Sequence, residues 1–192
     1  MTRLSNLHFN AHIFGKLPIG FNPMVMLTTI HSWNTKMEEI IKYKLRNQYK
    51  EIELFVSDQD KNFLNTRHRA DKWSIHENLA HLGRYQEIFL HRVHEILKGD
   101  NPAFGRYKAE MDEEFTIWES KNTSLIIEES KEKRKEIAEF ILGLKDYQLT
   151  NTGTHPKLGQ MNIPGWCHFF LLHESHHAYT IFWIVNEYRK TQ

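Results

Sequence analysis

The chain has 192 residues, 40% hydrophobic and 26% charged, enough for one domain with a real core. Its 25 basic and 24 acidic side chains leave a formal charge of +1, which excludes a nucleic-acid binder relying on a basic face and a polybasic membrane anchor. The single cysteine, Cys167, excludes a disulfide-stapled fold, and 9 Gly, 5 Pro and 12% aromatics exclude a fibrous or disordered chain.

Residues 1–31 read as an N-terminal extension, with turn signals at Gly15, Pro18, Gly20 and Pro23. Asn10, His12, Lys16 and Pro18 interrupt any apolar run of the signal-peptide kind. Residues 32–192 read as one domain. Met37, Ile40, Ile41, Leu45 and Tyr49 recur at helical spacing and predict a first helix from Trp33 to Phe55.

A second helix opens at Ser74-Ile75-His76-Glu77, a capping box in which Ser74 and Glu77 serve each other's backbone. Its apolar stripe runs Ile75, Leu79, Leu82, Phe89, Val93, Ile96, and Gly99-Asp100-Asn101-Pro102 ends it. A loop-rich passage to Lys121 carries Phe104, Tyr107, Phe115 and Trp118. A third helix spans Ser124 to Leu142, its Lys131–Glu136 charges forming a solvated face.

Residues 144–162 form a long connection containing His155-Pro156 and Gly159. The fourth helix runs from Asn162 to Tyr188 with Pro164 in its first turn, where a missing N–H costs nothing. Its most apolar window, Trp166 to Val185, holds Glu174 and four histidines, too polar for a bilayer span. A cytoplasmic location is the expectation. Strand signals are scarce, so the predicted fold is all-α: a four-helix bundle with a long crossover connection.

The unusual count is 13 histidines. His173 and His177 are four apart on the last helix, stacked on one face and continuing the stripe Trp166, Phe170, Ile181, Ile184. Two imidazoles turned toward the bundle interior lose water and need partners, and one divalent metal ion serves both. A third ligand must come from another helix, with His68, His76, His81, His91, His94 and His155 as candidates that spacing does not separate. His176 packs beside Leu172 and Tyr179 or orients a neighbour, and His168 lies on another face.

His173-Glu174-Ser175-His176-His177 also spells the zincin pattern, in which Glu174 would be a general base. Against a peptidase, the extended pattern needs a histidine where Trp183 stands, and no sheet precedes the helix to align a peptide.

The segment Trp73-Ser74-Ile75-His76-Glu77-Asn78-Leu79-Ala80-His81-Leu82, then His155-Pro156 with Leu158-Gly159, then His173-Glu174-Ser175-His176-His177 with Ile181, resembles the DinB-like (DinB/YfiT) superfamily. The likeness covers residues 33–190 in order and spacing. It implies a four-helix bundle holding a divalent metal, zinc or nickel, through one histidine of the second helix and two of the last. Carried over, these are His81, His173 and His177. Three protein ligands leave a coordination position open, the pattern of a catalytic rather than a structural site.

Relatives in that superfamily include bacillithiol- and mycothiol-using S-transferases, a thiol-dependent isomerase and metal-dependent hydrolases. The resemblance therefore implies an enzyme activating a low-molecular-weight thiol or a water for transfer to a small-molecule electrophile. It is compatible with a homodimer. The alternative is a non-catalytic bundle that binds a metal or ligand as a sensor or interaction protein. Cys167 reads as a small buried core residue, not a nucleophile. Tyr85, Trp33, Trp118 and Trp166 are the expected pocket walls. Because histidine must be neutral to bind metal, affinity is expected to fall as pH drops through about 6.5.

Overall fold

The computed structural model describes residues 36–188. The expected extension over residues 1–31 lies outside them, as does Trp33. The first helical arm comprises α1, Glu39–Asn47, and α2, Tyr49–Val56. The sequence predicts one helix here, and Gln48 between the two keeps helical dihedrals (φ −61°, ψ −36°). Its side chain donates to Leu171 O at 2.8 Å.

A short α3, Lys61–Asn65, leads to α4, Ile75–Leu97. The capping box starts α4: Ser74 Oγ accepts from Glu77 N at 3.1 Å, and Glu77 accepts from Ser74 N at 2.7 Å. Gly99, at φ 91°, takes the left-handed conformation that only glycine adopts without strain and turns the chain away.

The crossover contains more order than its composition suggests, with a 3₁₀ turn at Ala109–Met111 and α5 at Glu113–Ser120. Phe115 and Trp118 on α5 are buried against the bundle, because a short amphipathic helix needs only one apolar turn to dock. Next come α6, Thr123–Leu142, and α7, Asp146–Leu149.

The predicted long connection then forms a hairpin, β1 Thr152–His155 with β2 Gly159–Asn162, antiparallel with Gly153 opposite Met161. Strands of four residues without alternating polarity leave no period to read. Finally α8 runs Ile163–Tyr188, its start capped by Asn162 Oδ1 accepting from Gly165 N at 3.0 Å.

The rods of the bundle are α1–α2, α4, α6 and α8, an all-α four-helix bundle with the short hairpin as an accessory. Partners of His81, Phe89 and Arg92 on α4 are His177, Phe170 and Trp166 on α8, so those helices run antiparallel. By contrast α4 and α6 run parallel: His76 meets Thr123 and Gln86 meets Ser130. Parallel neighbours require the crossover that residues 98–122 supply. No helix among the described residues is long and apolar enough to cross a membrane.

The buried apolar side chains fall into two clusters. One takes Met37, just before α1, with Ile41 and Leu45 from α1 and stops at Leu171 on α8; the other takes Ile52 and Val56 from α2 and begins again at Ala178. On α6 the division falls between Ile126 and Ile137. Gln48, Arg134, His173, Glu174 and His177 all fall in that interval, so the rods share one polar layer between two apolar ones. The candidate site is half of that layer.

Candidate metal centre

On α4, His81 follows the capping box by two turns and is buried. On α8, His173 and His177 lie one turn apart, half-buried and buried respectively. The antiparallel pairing of α4 with α8 brings the three rings together. One nitrogen from each lies within 4.8 Å of the others. His81 Nε2 and His173 Nε2 are 3.1 Å apart, close to the separation of about 3.4 Å for two nitrogens in one tetrahedral zinc shell.

The tautomer of His177 is set by its neighbour. Asn78 Nδ2 donates to Ser74 O at 2.7 Å, which turns Asn78 Oδ1 toward His177 Nδ1 at 2.8 Å. Nδ1 of His177 therefore carries the proton, and Nε2 presents its lone pair. The Nδ1 atoms of His81 and His173 are buried without a hydrogen-bond partner among the described residues. Packing holds those two rings instead.

That packing is aromatic. The Tyr85 ring lies 4.0 Å from His173, and Trp73, Tyr107 and Phe115 lie 5.0, 5.5 and 6.3 Å from His81, centroid to centroid. Such a collar keeps water from the rings and disfavours their charged forms. Burial, reinforced by the neighbouring imidazoles, pushes His177 down to about 2 and His173 down to about 3. His81 is pushed down to about 4, again by burial. All three are neutral donors at pH 7, a set suited to zinc and its neighbours. The expected loss of affinity through about 6.5 is corrected by this burial, since the folded rings do not take up protons there.

The remaining histidine candidates are elsewhere. His76 uses both ring nitrogens, toward Thr123 Oγ1 and Glu119 O at 2.8 Å each, and ties α4 to the end of the crossover. His155 Nδ1 accepts from Lys157 and Leu158 in the hairpin turn. His68 stacks on Tyr188, His94 lies tilted against Phe140, and His91 is exposed. His176 is also exposed, its ring 5.3 Å from that of His177.

Glu174 does not face the trio. It is 3% exposed and pairs with Arg134, itself 1% exposed, while Gln48 Nε2 donates to it at 3.3 Å. One residue along a helix is about 100° around it, so the residue beside His173 falls on the opposite side of the polar layer. The peptidase alternative thereby loses its base.

Two expected pocket walls are corrected as well. Trp118 packs on Gly83 and donates to Glu87 at 3.1 Å, and Trp166 donates to Gly153 O at 3.2 Å, anchoring the hairpin. Of the expected walls among the described residues, Tyr85 alone touches the trio. Asn78 and Trp73 were missed, although Asn78 stands three residues before His81 on the same helix face. Beside His177 and Asn78 lies a groove of about 540 Å³ whose walls include Trp73 and Trp183.

Residues 44–181, more than half of the chain, match the DinB superfamily. Among solved structures the chain is similar to YfiT from Bacillus subtilis, described as a probable metal-dependent hydrolase with an unusual four-helix bundle topology. The two share 17% identity at a TM-score of 0.67, over 79% of this chain and 85% of that one. No curated protein matches the chain.

Proposed function

The chain belongs to the DinB superfamily, and from that premise we propose that it is a divalent-metal-dependent enzyme whose ligands are His81, His173 and His177. The metal is zinc or nickel, and the reaction transfers a low-molecular-weight thiol or a water to a small electrophile. The observation that carries this reading is the convergence of three neutral imidazoles from two helices inside an aromatic collar. When bound, a divalent ion supplies Lewis acidity and open coordination positions there.

Each remaining task falls to the chain's own groups. Asn78 keeps the His177 proton on Nδ1. Trp73, Tyr85 and Tyr107 exclude bulk water, which strengthens every electrostatic contact inside. The attacking sulfur, if the reaction uses one, comes from the co-substrate. Cys167 is fully buried and its thiol is pushed up to about 12.

The test begins with metal content of tag-free protein by ICP-MS, beside His81→Ala and His173→Ala. About one equivalent of zinc or nickel, lost in both variants, is expected from a single three-histidine site. Metal-loaded protein is then offered monochlorobimane with a panel of thiols, and ester and amide substrates without thiol. Turnover abolished by His177→Ala supports an enzyme. Bound metal with no turnover across both panels would assign the bundle to metal or ligand binding without catalysis.

A further inference from the structure

The groove beside His177 has a composition that the metal reading does not use. It lies between the segment joining α3 to α4 and the outward face of α8, and its volume of about 540 Å³ is that of a site for a drug-sized molecule. Trp73 belongs to both places, its ring 5.0 Å from His81 and 6.3 Å from His177. The far end is closed by His68 stacked on Tyr188 at 4.5 Å and 12°. Trp183 contributes a further aromatic face, 39% exposed. Flat, apolar, partly bare walls favour a flat, apolar ligand.

Its charge is unbalanced. Arg69 and Lys72 both line the groove, and the one carboxylate lining it is Asp71. Asp71 sits 3.4 Å from Arg69 and 3.8 Å from Lys72, and their side chains are 51% and 64% exposed. One carboxylate shared loosely between two cations leaves a positive charge available to a ligand. A second copy of the chain docked here would bring the same excess of cations, so symmetry disfavours that occupant.

We infer that this groove binds a small aromatic anion, an aryl carboxylate or its like, with the ring between Trp73 and Trp183 and the anionic group at Arg69 and Lys72. For the proposed enzyme this names the class of substrate, an aromatic molecule anchored by its anionic group and carrying the electrophilic centre on a separate group. It rests on that reading for any chemistry after binding, though not for binding itself.

The experiment is calorimetric titration of the full chain with naphthoate, with naphthylmethanol as the uncharged counterpart. Naphthoate is expected to bind more tightly than the alcohol. Asp71→Asn should tighten naphthoate by about two- to fivefold, and Arg69→Ala with Lys72→Ala should weaken it by about fivefold, with the alcohol unmoved. Trp183→Ala should weaken both ligands alike. The charged residues are exposed, so these variants fold.

Equal affinity for both ligands overturns the inference. So does indifference to the charge changes, or naphthoate excluded because a dimer closes the groove. His81→Ala separates the two sites, since it dismantles the trio without touching the groove's cations. Both readings expect His81→Ala to lose metal and keep charge-sensitive naphthoate binding, whereas wild-type protein that binds naphthoate in this way but takes up no metal would fault the enzyme reading alone. Metal-bound protein without such binding would fault the groove alone.

Discussion

Asn78 Oδ1 accepts the Nδ1 proton of His177 across 2.8 Å, joining α4 to α8 at the level of the trio. The amide cannot flip at no cost, because its Nδ2 is committed to Ser74 O at the helix cap. A capping motif legible in the sequence thus reaches, through one side chain, the tautomer of a candidate ligand.

Removing that acceptor should therefore be felt at the metal. Asn78→Ala is expected to weaken zinc binding by about 10- to 100-fold, and Asn78→Asp to retain it. Competition with a chromophoric chelator measures both. Unchanged affinity in Asn78→Ala would show that His177 is oriented by packing alone.

Acid should destabilise the metal-free protein. The folded pKa values of His81, His173 and His177, about 4, 3 and 2, lie below the unfolded value of about 6.5. Their contribution is fully present above about 6.5 and is lost as pH falls toward 4 and below, at up to about 1.4 kcal/mol per pH unit for each ring. Urea midpoints should fall from pH 7 to pH 5, with a shallower fall in His173→Gln. By the same logic, zinc affinity at pH 7.5 and pH 5.5 should nearly match while the protein stays folded.

The buried Arg134–Glu174 pair should behave as a structural tie. Arg134→Leu strands a carboxylate 3% exposed and should cost about 3–5 kcal/mol, whereas Arg134→Leu with Glu174→Leu should recover most of that loss. Denaturant unfolding distinguishes them, and additive losses would contradict the pairing. Casein should be untouched by the wild type and by Glu174→Gln alike.

Gly83 gives the crossover its seat. A Cβ there would come within 2.5 Å of Trp118 Cε3, so Gly83→Ala must displace the indole. A loss of about 1–3 kcal/mol is expected, with a red-shifted tryptophan emission. An unshifted spectrum at full stability would mean that α5 moves freely.

Cys167 should be silent toward Ellman's reagent in the native state and react fully on unfolding, since its thiol is buried and pushed up to about 12. Rapid native labelling would show that the helix start opens readily.

Much of the helical framework was legible. The stripe of α4, its capping box and the Pro164 start of α8 are local signals, and the structure places them within a residue or two of expectation. The hairpin and α5 were not legible, because elements of four to eight residues carry too little period and gain their order from docking.

The sequence by itself determined which residues bear on one another within a helix: His173 above His177, Ser74 against Glu77. These depend on spacing along a rod of known pitch. Where the two apolar clusters part, and that Gln48, Arg134 and Glu174 meet on one side of the gap while His81 joins His173 and His177 on the other, depends on how four rods align. Spacing left the third histidine open, and the family resemblance pointed to His81. Only tertiary structure set the antiparallel register of α4 and α8, because the free energy that fixes it is spread over every packed pair between them.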